Sequence, residues 1–93
     1  MAENVRAHAI ISGRVQGVFY RMETKRSADR SGVTGWVKNR PEGTVEAVFE
    51  GSKTQVDAVI SWCWEGPPLA RVDNVDVNWE PFAGEYHSFN VTY

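Results

Sequence analysis

The segment Gly13–Arg21 (GRVQGVFYR) joins a predicted strand at residues 5–12 to a predicted helix at residues 21–31. A loop that leaves a strand and opens a helix exposes backbone N–H groups that have no partner within the helix. These donors, together with the positive end of the helix dipole, favour a bound anion. Gly17 permits a left-handed backbone or a close approach to a ligand. The segment therefore predicts a site for an oxyanion of the size of a phosphate.

Arg21 stands where this loop becomes helix, so its guanidinium can form two parallel hydrogen bonds to the same anion. An isolated arginine near a helix start is more often an ordinary surface residue. A cation there is also slightly unfavourable with the helix dipole. Its position makes more sense if an anion normally lies between the two.

The rest of the chain continues the alternation of strands and helices. Strands are predicted from the patterns at residues 33–39, 44–50, 71–80 and 89–93, with a turn at Arg40–Gly43 between the first two. A second helix is predicted to run to about Glu65 from the capping box of Ser52 and Gln55. The order β-α-β-β-α-β-β begins with the split β-α-β arrangement. It places both helices on one face of an antiparallel sheet of four to five strands.

Two helix faces are predicted to pack on this sheet. The first helix offers a face of mostly small residues (Tyr20, Thr24, Ser27 and Ala28), with Gly32 ending the helix. The second offers an apolar stripe (Val56, Val59, Ile60, Cys63 and Trp64), which leaves Trp62 toward solvent.

The composition indicates one folded domain over residues 1–93, because 42% of the residues are hydrophobic and four are tryptophan. The single cysteine, Cys63, cannot form a disulfide within the chain, which suits a reducing compartment. No apolar run approaches the ~20 residues that span a bilayer. The first residues lack a clear signal-peptide cleavage site. We therefore expect a cytoplasmic protein that does not bind a membrane.

The net charge of −2 is unevenly distributed along the chain. Residues 14–40 contain seven Lys and Arg side chains against two carboxylates, a local net charge of +5. This positive region coincides with the predicted anion loop and could steer anionic ligands toward it. A solvated, basic helix face is the simpler alternative.

Asn39 ends the second predicted strand, where the hairpin turn begins. Its side chain could stabilise the turn by bonding to local backbone. Alternatively, its amide could hold a water molecule, and the split topology could bring it near Arg21. His8 and His87 are isolated, so we expect no metal site. No nucleotide-binding glycine motif is present in the sequence.

Two segments, GRVQGVFYR at 13–21 and GWVKNRPEGTVEAVFEG at 35–51, resemble the signature segments of the acylphosphatase family. The GPP after the second helix and the Phe-x-Val near the end are also similar to this family. The resemblance implies a ferredoxin-like α+β sandwich that hydrolyses the carboxyl-phosphate bond of acyl phosphates without a cofactor. It implies that Arg21 and the backbone of Gln16, Gly17, Val18, Phe19 and Tyr20 bind the phosphoryl group. It further implies that Asn39 orients the attacking water.

Two other functions remain as alternatives. Related domains occur within larger proteins such as hydrogenase maturation factors, so the chain could be a non-catalytic module that binds phosphate or carbamoyl phosphate. RNA binding is the third possibility, because RNA-binding modules share the split topology. The strand at 44–50 lacks their aromatic pattern, and its Glu46 and Glu50 would repel a phosphate backbone. We expect a monomer that acts on a small-molecule acyl phosphate and binds no nucleic acid.

Overall fold

The computed structural model describes residues 3–93, so the start of the predicted domain at Met1 lies outside the described residues. The elements are β1 (Asn4–Arg14), α1 (Tyr20–Ser31), β2 (Thr34–Asn39), β3 (Val45–Ser52), α2 (Lys53–Glu65), β4 (Arg71–Glu80) and β5 (Phe89–Val91). This order and the placement of both helices confirm the predicted ferredoxin-like α+β fold. α1 ends at Gly32, which adopts a left-handed backbone, and α2 begins with the predicted capping box of Ser52 and Gln55.

The five strands form one sheet in the order β4-β1-β3-β2-β5. β1 lies inside the sheet and pairs antiparallel with both β3 and β4, while β2 pairs antiparallel with β3. The prediction of an antiparallel sheet holds for these four strands, but β5 runs parallel to β2. After β4 the chain crosses the open face of the sheet and reaches the opposite edge. There β5 runs opposite to β4 and therefore in the same direction as β2.

The core lies between the sheet and the two helices. Alternate residues of β1 and β3 point into it, and they are all fully buried (Ala7, Ala9, Ile11, Val45, Ala47 and Phe49). The predicted face of α1 is buried as well, and small side chains there let the helix approach the sheet closely. The other face of the sheet carries charged and aromatic residues and is crossed by residues 81–88.

Two details of the predicted packing were wrong. Trp64 is half-exposed, whereas Trp62 packs against Tyr20 with ring centroids 5.3 Å apart. The cause is that α2 is buried against α1 as well as against the sheet, and Trp62 lies on the side facing α1. Tyr93 lies beyond the end of β5 and is 95% exposed, so the last strand is shorter than predicted.

Within residues 3–93, none of the helices has the length and apolar character that crossing a membrane requires.

Candidate active site

The loop between β1 and α1 owes its path to glycine and to one strained residue. β1 has a bulge at Ser12/Gly13, where a Cβ on Gly13 would stand 2.2 Å from the carbonyl oxygen of Arg71. Gly17 has a φ of 74°, the left-handed backbone that was one of its two expected roles, with open space where its side chain would be. Phe19 has a φ of 67° and is the only non-glycine residue with a positive φ in residues 3–93. Left-handed backbone at a bulky residue is strained, and such strain concentrates at functional sites.

The loop presents unpaired backbone donors beside the start of α1. Within residues 3–93, the amides of Gln16–Phe19 donate to no backbone oxygen. Phe19 is the N-cap of α1, and no side chain caps the helix there. Unpaired N–H groups at a helix start, with the helix dipole behind them, form a site suited to an anion.

The side chain of Gln16 fixes this loop to the turn between β2 and β3. Its Nε2 donates to the carbonyl oxygen of Arg40 at 2.8 Å and to that of Thr44 at 2.9 Å. The same turn is closed by a hydrogen bond from the Arg40 amide to the Thr44 carbonyl oxygen at 2.9 Å. Asn39 immediately precedes this turn, so one glutamine holds the loop and the end of β2 at a fixed separation.

A single cavity of about 510 Å³ brings the two predicted catalytic residues together. Its lining comprises residues of the loop, α1, β2 and the C-terminal segment (Val15, Gly17, Phe19, Tyr20, Arg21, Met22, Lys25, Asn39, Val91 and Tyr93). Arg21 reaches it from the first turn of α1 and Asn39 from the end of β2. The sequence-based expectation that strand two ends beside the strand-one loop is therefore met.

The amide oxygen of Asn39 is buried and has no hydrogen-bond partner within residues 3–93. A buried polar atom without a partner is unfavourable by about 1–3 kcal/mol, so such atoms call for an explanation. The turn-stabilising alternative leaves this oxygen unexplained, because it accepts no bond from local backbone. Asn39 also lines the cavity, and when its side chain turns toward that space the oxygen can accept a hydrogen bond from a water molecule there.

Arg21 is not committed to a carboxylate. Within residues 3–93 it forms no ion pair, and its guanidinium lies 5.1 Å from the ring centroid of Tyr93. Stacking on an aromatic ring orients the guanidinium and leaves its N–H groups free. Lys25 also lines the cavity, but its ammonium bonds to Asp29 and to the Phe89 carbonyl oxygen, each at 3.0 Å. Arg21 is thus the cation with free donors at this cavity.

The six residues predicted to bind phosphate divide into two groups. Gly17, Phe19, Tyr20 and Arg21 line the cavity, whereas Gln16 and Val18 do not. The side chain of Gln16 faces the turn, and Val18 is buried. Sequence reasoning missed five other lining residues, which are Val15, Met22, Lys25, Val91 and Tyr93. The i+4 spacing from Arg21 to Lys25 was a usable signal for one of them.

Tyr20, the first residue of α1, follows the loop directly and is a buried, uncharged side chain. Its hydroxyl donates to the carbonyl oxygen of Cys63 at 2.7 Å. Burial raises the pKa of the Tyr20 phenol far above its usual range, and burial raises the pKa of the Cys63 thiol to about 12. Both groups are therefore neutral at physiological pH. They join the start of α1 to the end of α2, and neither is an acid–base candidate.

Comparisons with known proteins agree with this geometry. The family model described as Acylphosphatase matches residues 7–91. An acylphosphatase of Pelotomaculum thermopropionicum is 50% identical over 88 residues, which are 95% of this chain and 96% of that protein. The crystal structure of acylphosphatase from Bacillus subtilis superposes with a TM-score of 0.93 at 31% identity, covering 96% of this chain and 99% of that one.

A larger protein contains a similar region. The crystal structure of HypF from T. kodakarensis matches 96% of this chain with a TM-score of 0.83 and 30% identity. The match spans only 12% of that protein.

Proposed function

This chain belongs to the acylphosphatase family and hydrolyses the carboxyl-phosphate bond of acyl phosphates, and we propose that Arg21, the loop amides and Asn39 carry out this reaction. The amides of residues 16–20 and the guanidinium of Arg21 bind the phosphoryl oxygens. Asn39 accepts a hydrogen bond from the attacking water through its amide oxygen. The unpaired, buried amide oxygen of Asn39 is the observation that supports this assignment most strongly.

The chemistry suits a site that has charge stabilisers but no strong base. The water oxygen forms a bond to phosphorus while the bond from phosphorus to the acyl oxygen breaks. The leaving carboxylate is stable as an anion, so its departure needs no strong acid. Phosphoryl transfer depends chiefly on positioning and on stabilising the oxygens of the transferred group. The amide of Asn39 cannot take up the proton of the water, so a phosphoryl oxygen of the substrate receives it.

The proposal is tested with Arg21→Ala and Asn39→Ala, using acetyl phosphate as substrate. Each change should lower kcat/KM by about 100-fold or more, as the loss of one oxyanion donor does in other enzymes. Arg21→Ala should also weaken competitive inhibition by inorganic phosphate, because it removes a phosphate ligand. Asn39→Ala should leave that inhibition within about threefold of wild type, since it removes only the water acceptor.

Matched controls separate these roles from general damage. Arg26→Ala removes an exposed arginine of the same helix that pairs with Glu23 at 2.8 Å, and Asn90→Ala removes an exposed asparagine of β5. Both should keep wild-type activity. Full activity in Asn39→Ala would overturn the water-positioning role.

The alternative is a non-catalytic module that binds phosphate or carbamoyl phosphate, and the match to part of HypF is the observation that favours it. The match to whole acylphosphatases favours the enzyme. A wild-type protein that bound phosphate but hydrolysed no acyl phosphate would establish the module instead.

We also propose that residues 1–93 form one domain that acts as a cytoplasmic monomer. Every residue to which the proposed reaction assigns a role belongs to the same chain, so the reaction requires no second copy. The buried free thiol of Cys63 supports a reducing compartment. Residues 81–88 cross the sheet face that RNA-binding modules of this topology use, which supports the absence of nucleic-acid binding.

A further inference from the structure

A second, apolar cavity of about 280 Å³ lies beside the cavity that contains Arg21 and Asn39. We call the second cavity the apolar groove and the first the phosphate cavity. The apolar groove is lined by Val18, Phe19, Met22, Pro67, Pro68 and Leu69, with Glu23 at its margin. Phe19, Met22 and Leu69 are 65%, 51% and 65% exposed, although large apolar side chains are usually buried. These three side chains surround the apolar groove and form one continuous, exposed apolar patch. A patch of this kind marks a ligand or interaction site.

The two cavities share a wall made by Phe19 and Met22. Phe19 turns its ring outward from the strained, left-handed position that ends the anion loop. Glycine would adopt this backbone without strain, so packing in the folded chain does not explain a phenylalanine there. A role for the ring in binding a ligand beside the phosphate accounts for both the strain and the exposure.

The strand order places this apolar groove opposite Asn39. The turn at 67–69 leads into β4, whose first residue, Arg71, pairs with Arg14 at the end of β1. Asn39 ends β2, which lies two strands away from β1 on its other side, at the same end of the sheet. In phosphoryl transfer the attacking and leaving oxygens stand roughly in line across the phosphorus. If water approaches from Asn39, the leaving carboxylate points toward the groove.

We propose that this groove is the subsite for the acyl group and that it selects acyl phosphates with an apolar acyl part. The inference rests on the proposed function, because it takes the position of the phosphoryl group from it. A cavity of ~150 Å³ is known to bind benzene, so this groove has room for a benzoyl group or a short alkyl chain. Glu23 does not oppose this, because its carboxylate is paired with Arg26 at 2.8 Å.

The test measures kcat/KM for acetyl, butanoyl, hexanoyl and benzoyl phosphate. The three straight-chain acids have nearly the same acidity, so differences among them report burial of the chain and not the quality of the leaving group. Full burial of a methylene contributes about a fourfold gain, so this half-open groove should give about twofold per methylene. Wild type should therefore prefer hexanoyl over acetyl phosphate by about tenfold or more.

The discriminating variant is Leu69→Ser, which alters the groove and lies outside the phosphate cavity. It should keep wild-type kcat/KM for acetyl phosphate and lose at least threefold for hexanoyl and benzoyl phosphate. Phe82→Ser, an exposed apolar residue near the far end of β4, is the matched control and should change neither.

Equal kcat/KM for all four substrates in wild type would overturn the apolar subsite while leaving the phosphatase intact. An equal loss on every substrate in Leu69→Ser would also overturn it. Failure of wild type to hydrolyse even acetyl phosphate would instead refute the proposed function, and the subsite with it.

Discussion

Two groups of polar residues, one at each end of the sheet, differ in whether they have partners within the chain. At the end that holds the loop, Arg21 lacks an ion pair, the loop amides lack backbone acceptors and the Asn39 amide oxygen lacks a donor, all within residues 3–93. At the other end, Arg6 binds three carboxylates: Glu50 at 3.3 Å, Glu80 at 2.9 Å and Glu85 at 2.7 Å. Within the part of the chain that the structure describes, the polar groups of the first set therefore lack the partners that Arg6 has.

Glu50 resembles Asn39 in one respect, because it also has a buried oxygen that lacks a partner within residues 3–93. Its other oxygen, however, accepts from Arg6 and from the amides of Ala83 at 2.9 Å and Gly84 at 3.3 Å. This carboxylate therefore fixes the segment that crosses the open face of the sheet. Buried polar groups stabilise the fold at one end, and at the other end they lack partners within residues 3–93. The unpaired atom alone does not identify a site; the unpaired neighbours do.

Glu50→Ala should have the largest effect on stability. It removes three hydrogen bonds to the Glu50 carboxylate, one from Arg6 and two from amides, and at about 1 kcal/mol each their loss costs about 3 kcal/mol. The free energy of unfolding, measured by urea titration, should fall by about that amount. The kcat of the folded fraction should stay within about threefold of wild type, because the site lies at the other end.

Glu80→Ala is the matched control, since it removes a partially exposed partner of the same arginine. Its effect should be at most about 1 kcal/mol. The contrast between the two ends would be broken if Glu50→Ala removed catalysis from folded protein, or if it were no more destabilising than Glu80→Ala.

Gln16→Leu should have a smaller effect, and on catalysis. Without its two bonds to the turn, the loop and Asn39 lose their fixed separation, and a small misplacement of catalytic groups can lower the rate by up to ~100-fold. We expect kcat to fall about tenfold while inhibition by inorganic phosphate changes less than about threefold. Thr44→Ala, which removes a hydroxyl of the same turn, should leave kcat unchanged. Equal losses in kcat and phosphate binding would show that the side chain of Gln16 contacts the phosphate and does not position Asn39.

The sequence was sufficient for much of this arrangement. Strand–loop–helix chemistry predicted an anion loop with Arg21 beside it, and the resemblance of two segments to a known family predicted the role of Asn39. Element order predicted the helices on one face, because the split topology leaves few other arrangements. These features follow from local patterns and from connectivity.

Other features depend on tertiary contacts that leave no local pattern. Phenylalanine has no preference for a left-handed backbone, so nothing in the sequence indicated the conformation of Phe19. Trp62 is buried instead of Trp64 because α1 packs against one side of α2. The apolar groove joins the start of α1 to a turn almost fifty residues later, and only the folded chain places Leu69 beside Met22.

The most direct test of the account is a titration of the wild-type protein with inorganic phosphate, followed by the shifts of its backbone amide and arginine N–H resonances. We expect the largest saturable shifts at the amides of residues 16–20 and at the guanidinium of Arg21. The amides of Ala83 and Gly84, which already have an acceptor, should not move. Saturable shifts outside the loop, or none within it, would contradict the claim that this end of the sheet is the phosphoryl site.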